Sequence, residues 1–148
     1  MKCILITLFA LSSACISCAQ DVNPSDVPSV VLNTFQSDFS DAQDIEWEKK
    51  GDTYEVEFDL KHVDYTAYID ASGKLILYKY DIHPNELPEA VRKIIQNDFT
   101  NYQIDDADLV EKEGEKLYEV ELEGNITDKK IVFTQNGQMT ENAYSFIE

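Results

Sequence analysis

Two stretches of this chain repeat one another in the same order, and that duplication restricts the possible folds more than any other feature. Val27-Pro28 matches Leu87-Pro88, and Val31, Gln36, Asp38 and Phe39 match Val91, Gln96, Asp98 and Phe99, at an offset of 60 residues. Further on the offset is 64. Tyr54-Glu55-Val56-Glu57-Phe58 matches Tyr118-Glu119-Val120-Glu121-Leu122, Asp64 matches Asp128, and Gly73-Lys74-Leu75 matches Gly137-Gln138-Met139. Four extra residues near Tyr102 to Asp106 account for the change.

Each copy opens as a helix. Pro28 and Pro88 suit a first helical turn, where the missing N–H costs no hydrogen bond. Apolar residues then recur every fourth position, as Val27, Val31, Phe35 and Phe39 in one copy and Leu87, Val91, Ile95 and Phe99 in the other. Asp-rich loops are expected next, at Asp41 to Asp44 and at Asp105 to Asp108.

The period then changes to two. Tyr54, Val56, Phe58 and Leu60 alternate with Glu55, Glu57 and Asp59, while Tyr118, Val120 and Leu122 alternate with Glu119, Glu121 and Glu123. That is the pattern of strands with one buried face and one acidic face. A shorter strand precedes each, with Ile45 and Trp47 inward in the first copy. Third strands are expected at about Val63 to Asp70 and Lys129 to Thr134. Ser72-Gly73 and Asn136-Gly137 are hairpin signals leading into fourth strands, about Lys74 to Ile82 and Gln138 to Ile147.

The expected class is therefore α+β: two tandem repeats of a helix plus a four-stranded antiparallel meander, residues 25–83 and 84–148, with Asp81 to Glu86 as connector. The helices pack on one sheet face and leave the other open. One helix covers four strands poorly, so the copies are expected to join as one compact body.

Residues 1–20 read as a secretory signal: a positive start at Lys2, an apolar run from Cys3 to Ala14, and Ser17-Cys18-Ala19 as a cleavage site. A second reading makes Cys15 or Cys18 the acylated first residue of a lipoprotein, although Ser12 or Cys15 stands three residues before each where Leu is usual. All three cysteines fall in this leader, so cleavage removes thiol chemistry and disulfides from the mature chain. The formal charge is −17 with no Lys/Arg cluster, which disfavours nucleic acid and anionic lipid as partners.

Leu87-Pro88-x-Ala90-Val91, Asp98-Phe99, the pentamer from Tyr118 to Leu122 and Asn136-Gly137 together resemble the PepSY-like, or β-lactamase-inhibitor-like, family of exported bacterial proteins. The resemblance spans residues 25–148. It implies tandem helix-plus-meander repeats after a leader, and a binding module of the cell envelope that restrains a hydrolase or holds a partner on the open sheet face. The inhibitor comparison rests on topology, and the disulfides of the inhibitor prototype have no counterpart here.

Catalytic chemistry is poorly supplied. His62 and His83 sit at expected turns or strand ends, and Ile126 replaces His62 in the second copy. No nucleophile motif surrounds any Ser, and no cofactor motif is present. Asp105, Asp106 and Asp108 form a hard-oxygen cluster but lack the D-x-D-x-D-G calcium loop and its closing Glu, so solvated turns are the reading taken and a calcium-responsive protein is the alternative. Asn125-Ile126-Thr127 fits a glycosylation triplet, a pattern common by chance. The expected partner-binding set is Glu46, Glu48, Glu55, Glu57, Tyr68, Glu119 and Glu121, an acidic surface with an aromatic insert for an envelope protein or peptide. The facing of Tyr78 and Tyr80 is left open by the ambiguous register of the fourth strand.

Overall fold

The computed structural model describes residues 20–140. The leader, with Cys15 and Cys18, and the expected strand beyond Thr140 lie outside the described residues. Helix α1 (Ser29–Asp38) is followed by β2 (Gln43–Lys50), β3 (Thr53–Asp59), β4 (Asp64–Asp70) and β5 (Leu75–Asp81). Helix α2 (Glu89–Asp98) is followed by β6 (Tyr102–Lys112), β7 (Glu115–Gly124), β8 (Lys129–Thr134) and β9 (Met139–Thr140). A two-residue strand, β1 (Gln20–Asp21), lies ahead of α1 and pairs with β2.

These strands form one nine-stranded antiparallel sheet in chain order, rather than two separate four-stranded units. The join is the β5–β6 pair, running from Leu77 opposite Lys112 to Asp81 opposite Asp108. Hydrogen bonding through that seam leaves neither copy with an exposed inner edge.

Both helices cover one sheet face, because the four-residue stripe must bury against the strands. In the first copy Val27, Val31, Phe35 and Phe39 pack on Trp47, Tyr54, Val56 and Phe58. The Phe35 ring meets Trp47 and Phe58 edge-on at 5.2 and 5.0 Å, the geometry that aromatic quadrupoles favour. The second core is more aliphatic: Leu87, Val91 and Ile95 pack on Leu109, Val120, Leu122 and Phe133. Tyr78 and Tyr80 belong to this helix-covered side, packing against the first and second cores respectively.

Glycine is required where each β-hairpin touches its helix. Gly73 and Gly137 have φ of +88° and +84°, and a Cβ on either would approach Val30 Cγ2 to 2.5 Å or Ile94 Cδ1 to 2.6 Å. Thr34 Oγ1 adds a hydrogen bond of 2.6 Å to the Gly73 carbonyl. The hairpin signals at Ser72-Gly73 and Asn136-Gly137 therefore carry tertiary as well as turn information.

Some positions depart from the sequence expectation. Asp105 to Asp108 lie within β6, not in a loop, because the strand starts at Tyr102 and absorbs the extra residues through a register shift between Ile104 and Asp106. Ile45 is 41% exposed rather than inward, next to a register shift between Gln43 and Glu46 and a left-handed Asp44. The connector is more ordered than expected: Pro84–Glu86 form a 3-10 turn capped by His83, whose Nδ1 accepts from Asn85 N at 3.2 Å. His62 occupies a left-handed turn position, φ +66°, and is exposed.

Candidate functional site

The face without helices is acidic by register as well as by composition. Seven cross-strand partners on it set acid opposite acid: Asp21–Glu48, Glu46–Glu57, Glu48–Glu55, Asp59–Asp64, Asp81–Asp108, Asp108–Glu119 and Asp106–Glu121. Like charges directly opposite one another destabilise a sheet, so each pair needs a cation or burial-driven protonation to relieve it.

The expected partner-binding residues all share this face, but they differ in access. Glu46 and Glu57 are exposed, and Glu48 and Glu121 are half-buried. Glu55, Glu119 and Tyr68 are buried, at 5%, 2% and 7% exposure, which removes them from direct contact with a partner. Lys50 Nζ lies 2.5 Å from Glu55 Oε2 and 3.4 Å from Glu48 Oε2, an arrangement that offsets the charge of this pair. Burial first, then the neighbouring Glu55 carboxylate, pushes the Tyr68 phenol well above its ordinary range.

An apolar band lies along the middle of the same face. Tyr68, Leu77, Val110, Leu117 and Val132 cluster there and are buried. Strict alternation hides this band, yet the sequence does signal it. Leu75-Ile76-Leu77, Leu109-Val110, Leu117-Tyr118 and Ile131-Val132-Phe133 are apolar at both parities, as strands buried on both faces require.

At the seam, Lys79 Nζ reaches Asp108 Oδ2 at 2.6 Å and Glu119 Oε1 at 3.0 Å. Burial raises the Asp108 carboxyl to about 6, with Lys79 opposing the rise and the adjacent Asp81 adding to it. Burial raises Asp81 as well, helped by the charges of Asp106 and Asp64. Asp81, Asp106 and Asp108 bring carboxylate oxygens within 4.8 Å of one another. Asp105, named with the cluster in the sequence, is not in that group; Asp81 takes its place from another strand. The Lys79 ammonium already supplies a cation to this trio, which weakens the case for calcium.

Two clefts open at the same end of the strands. The first, about 420 Å³, is lined by Asp44, Glu46, Glu57, Asp59, Asp64 and Asp81 together with Phe58, Tyr65 and Thr66, and among the described residues by no Lys or Arg. The second, about 250 Å³, is lined by Asp105, Glu121, Leu122, Glu123 and Asp128 together with Lys129 and Lys130. Lys130 Nζ sits 2.6 Å from Glu121 Oε1 and 3.3 Å from Glu119 Oε1. Among the described residues, no Lys or Arg makes such a pair with Glu46, Glu57, Asp59 or Asp64.

A helix-covered antiparallel sheet with one acidic, helix-free face defines an α+β scaffold. The chain belongs to the family described as "Putative beta-lactamase-inhibitor-like, PepSY-like", which it matches twice, over residues 15–77 and 77–141. Solved structures share the fold. A DUF2874 family protein from Bacteroides uniformis is 18% identical, with a TM-score of 0.70 over 77% of this chain and 86% of that one. A BLIP-like protein from Bacteroides fragilis is 19% identical, with a TM-score of 0.65 over 77% and 83%. A protein from Bacteroides eggerthii described as a putative periplasmic protein is 18% identical, with a TM-score of 0.71 over 82% and 94%. None of the curated proteins matches the chain. No described helix is long and apolar enough to cross a membrane.

Proposed function

We propose that this chain is an exported, non-enzymatic binding module of the bacterial cell envelope, which uses its acidic sheet face to hold a basic protein or peptide. One observation carries the reading: seven acid-opposite-acid pairs are stacked on a single face, and among the described residues the Glu46–Glu57 and Asp59–Asp64 pairs of the first cleft have no lysine or arginine paired to them. A cationic partner relieves that repulsion, and its charge steers the encounter. The family's inhibitor-like description and the periplasmic description of a structural neighbour support an envelope protein with a protein partner. The described residues also support a non-catalytic role: His83 caps a turn and His62 is exposed on one.

The test is affinity capture from envelope extract with the mature chain, residues 21–148, at low and high salt. A Glu46→Gln/Glu48→Gln/Glu57→Gln variant runs beside it, with Glu121 left in place because Lys130 already pairs with it. A basic protein retained by the native chain, released by salt and not retained by the variant is the expected result. Equal retention by both chains contradicts the reading.

A further inference from the structure

The duplication lets one half of the molecule serve as a reference for the other. At the offset of 64, the first cleft's Glu57, Phe58, Asp59 and Asp64 correspond to Glu121, Leu122, Glu123 and Asp128 in the second. The acids are kept in type at all three acidic positions. The next two positions are not: Tyr65 and Thr66 stand where the second copy has Lys129 and Lys130. The strand register agrees, since Thr66 lies opposite Glu57 as Lys130 lies opposite Glu121.

In the second copy, then, the cleft carboxylates hold an ammonium from the chain itself, at 2.6 Å from Glu121. In the first copy the equivalent carboxylates face a threonine, and the cleft is the roomier of the two. The Tyr65 ring lies on the other, helix-covered face, stacked on Phe58 at 5.4 Å and on Tyr80 at 4.9 Å, so the groups that Glu57, Asp59 and Asp64 meet on the open face include the Thr66 side chain but not this ring. Burial first, and then the charges of Glu55 and Glu48, push the Glu57 carboxyl above the ordinary range, with Lys50 opposing the rise.

We infer that the first-copy cleft seats a lysine or arginine side chain of a protein partner, in the position that Lys130 fills internally in the second copy. This inference rests on the proposed binding function and locates it: the first copy docks and the second neutralises itself. The occupant is a protein cation because the acids line an open cleft on a sheet face, where a side chain on an extended segment can reach them, and because the second copy uses a lysine for the same carboxylates.

The test is calorimetric titration of the mature chain with a hexalysine peptide at low ionic strength, with calcium chloride as a second titrant. Three variants accompany the native chain: Thr66→Lys, Lys130→Thr, and Glu121→Gln/Glu123→Gln. Thr66→Lys copies the second cleft into the first, so it is expected to weaken hexalysine binding about tenfold or more, as loss of a close charge pair does. It should also raise the melting temperature, which shows that the variant folds. Glu121→Gln/Glu123→Gln should bind as the native chain does, and Lys130→Thr should add a second site. If Thr66→Lys binds like the native chain, or the second-cleft variant loses as much, the docking position is wrong while the acidic-face reading stands. If the native chain takes up calcium but not hexalysine, both are overturned.

Discussion

The two clefts are a comparison made within one chain. Their acids sit on equivalent strand ends, and what separates them is whether a lysine follows on the neighbouring strand. The second copy's acids are met by its own Lys130 on Glu121 and, across the seam, by Lys79 of the first copy on Asp108 and Glu119. The first keeps Lys50 at the far end of the strands, paired to Glu48 and Glu55, and among the described residues leaves Glu46, Glu57, Asp59 and Asp64 without one. A duplicated scaffold can thus hold its core and turns constant while the two copies differ in whether they need a partner.

The largest way to break that comparison is to remove the internal cation. Lys79→Met leaves Asp108 and Glu119 buried beside each other, and urea unfolding should show a loss of about 3 kcal/mol, the range for stripping a partner from a buried pair. Lys130→Met, whose side chain is 52% exposed, should cost about 1 kcal/mol or less by the same measurement. Restoring neutrality with Lys79→Met/Asp108→Asn/Glu119→Gln should recover much of the first loss.

A smaller effect tests what the copies share. Gly73→Ala and Gly137→Ala each force a Cβ into a left-handed position against a helix. Each should destabilise the fold by about 1–3 kcal/mol. Thermal melts should place the two losses close together, because both hairpins meet their helices in the same way. A loss confined to one glycine would mean that the helix-side frames are not equivalent.

The smallest effect is on pH dependence. Burial raises the Asp108 carboxyl to about 6 from 3.8, so between those values the folded chain holds a proton that the unfolded chain has released. Stability from this group is present at the acid end and is lost as pH rises through about 6. The raised Glu57 contributes with the same sign. Urea midpoints from pH about 4 to about 7 should fall with pH from these groups, and Asp108→Asn should flatten that fall.

Much of this was legible from residue order. The repeat, the helix stripes and the period-two strands follow from where apolar side chains must bury, and burial is periodic in the sequence. The sheet's continuity across β5 and β6 and the two-residue β1 were not legible, because pairing between distant strands leaves no mark in either one. Asp105 to Asp108 looked like a loop since three acids and the extra residues crowd there, yet a register shift lets β6 run through them. The acidic face was read correctly as a face and too simply as a surface. Glu55 and Glu119 alternate like exposed residues but lie beside the apolar band of Leu77, Val110 and Leu117, where lysines hold them. Tyr65 and Thr66 opposite Lys129 and Lys130 were visible all along as a break in the repeat. Their meaning depended on the register, which sets Thr66 opposite Glu57 and Lys130 opposite Glu121.

The most direct measurement is backbone amide chemical-shift mapping of the mature chain during titration with the hexalysine peptide. Saturable shifts confined to residues 44–46, 57–59, 64–66 and 81, with residues 121–130 unmoved, are the predicted result. Shifts spread equally over both clefts, or concentrated on 121–130, would contradict the division of labour between the two copies.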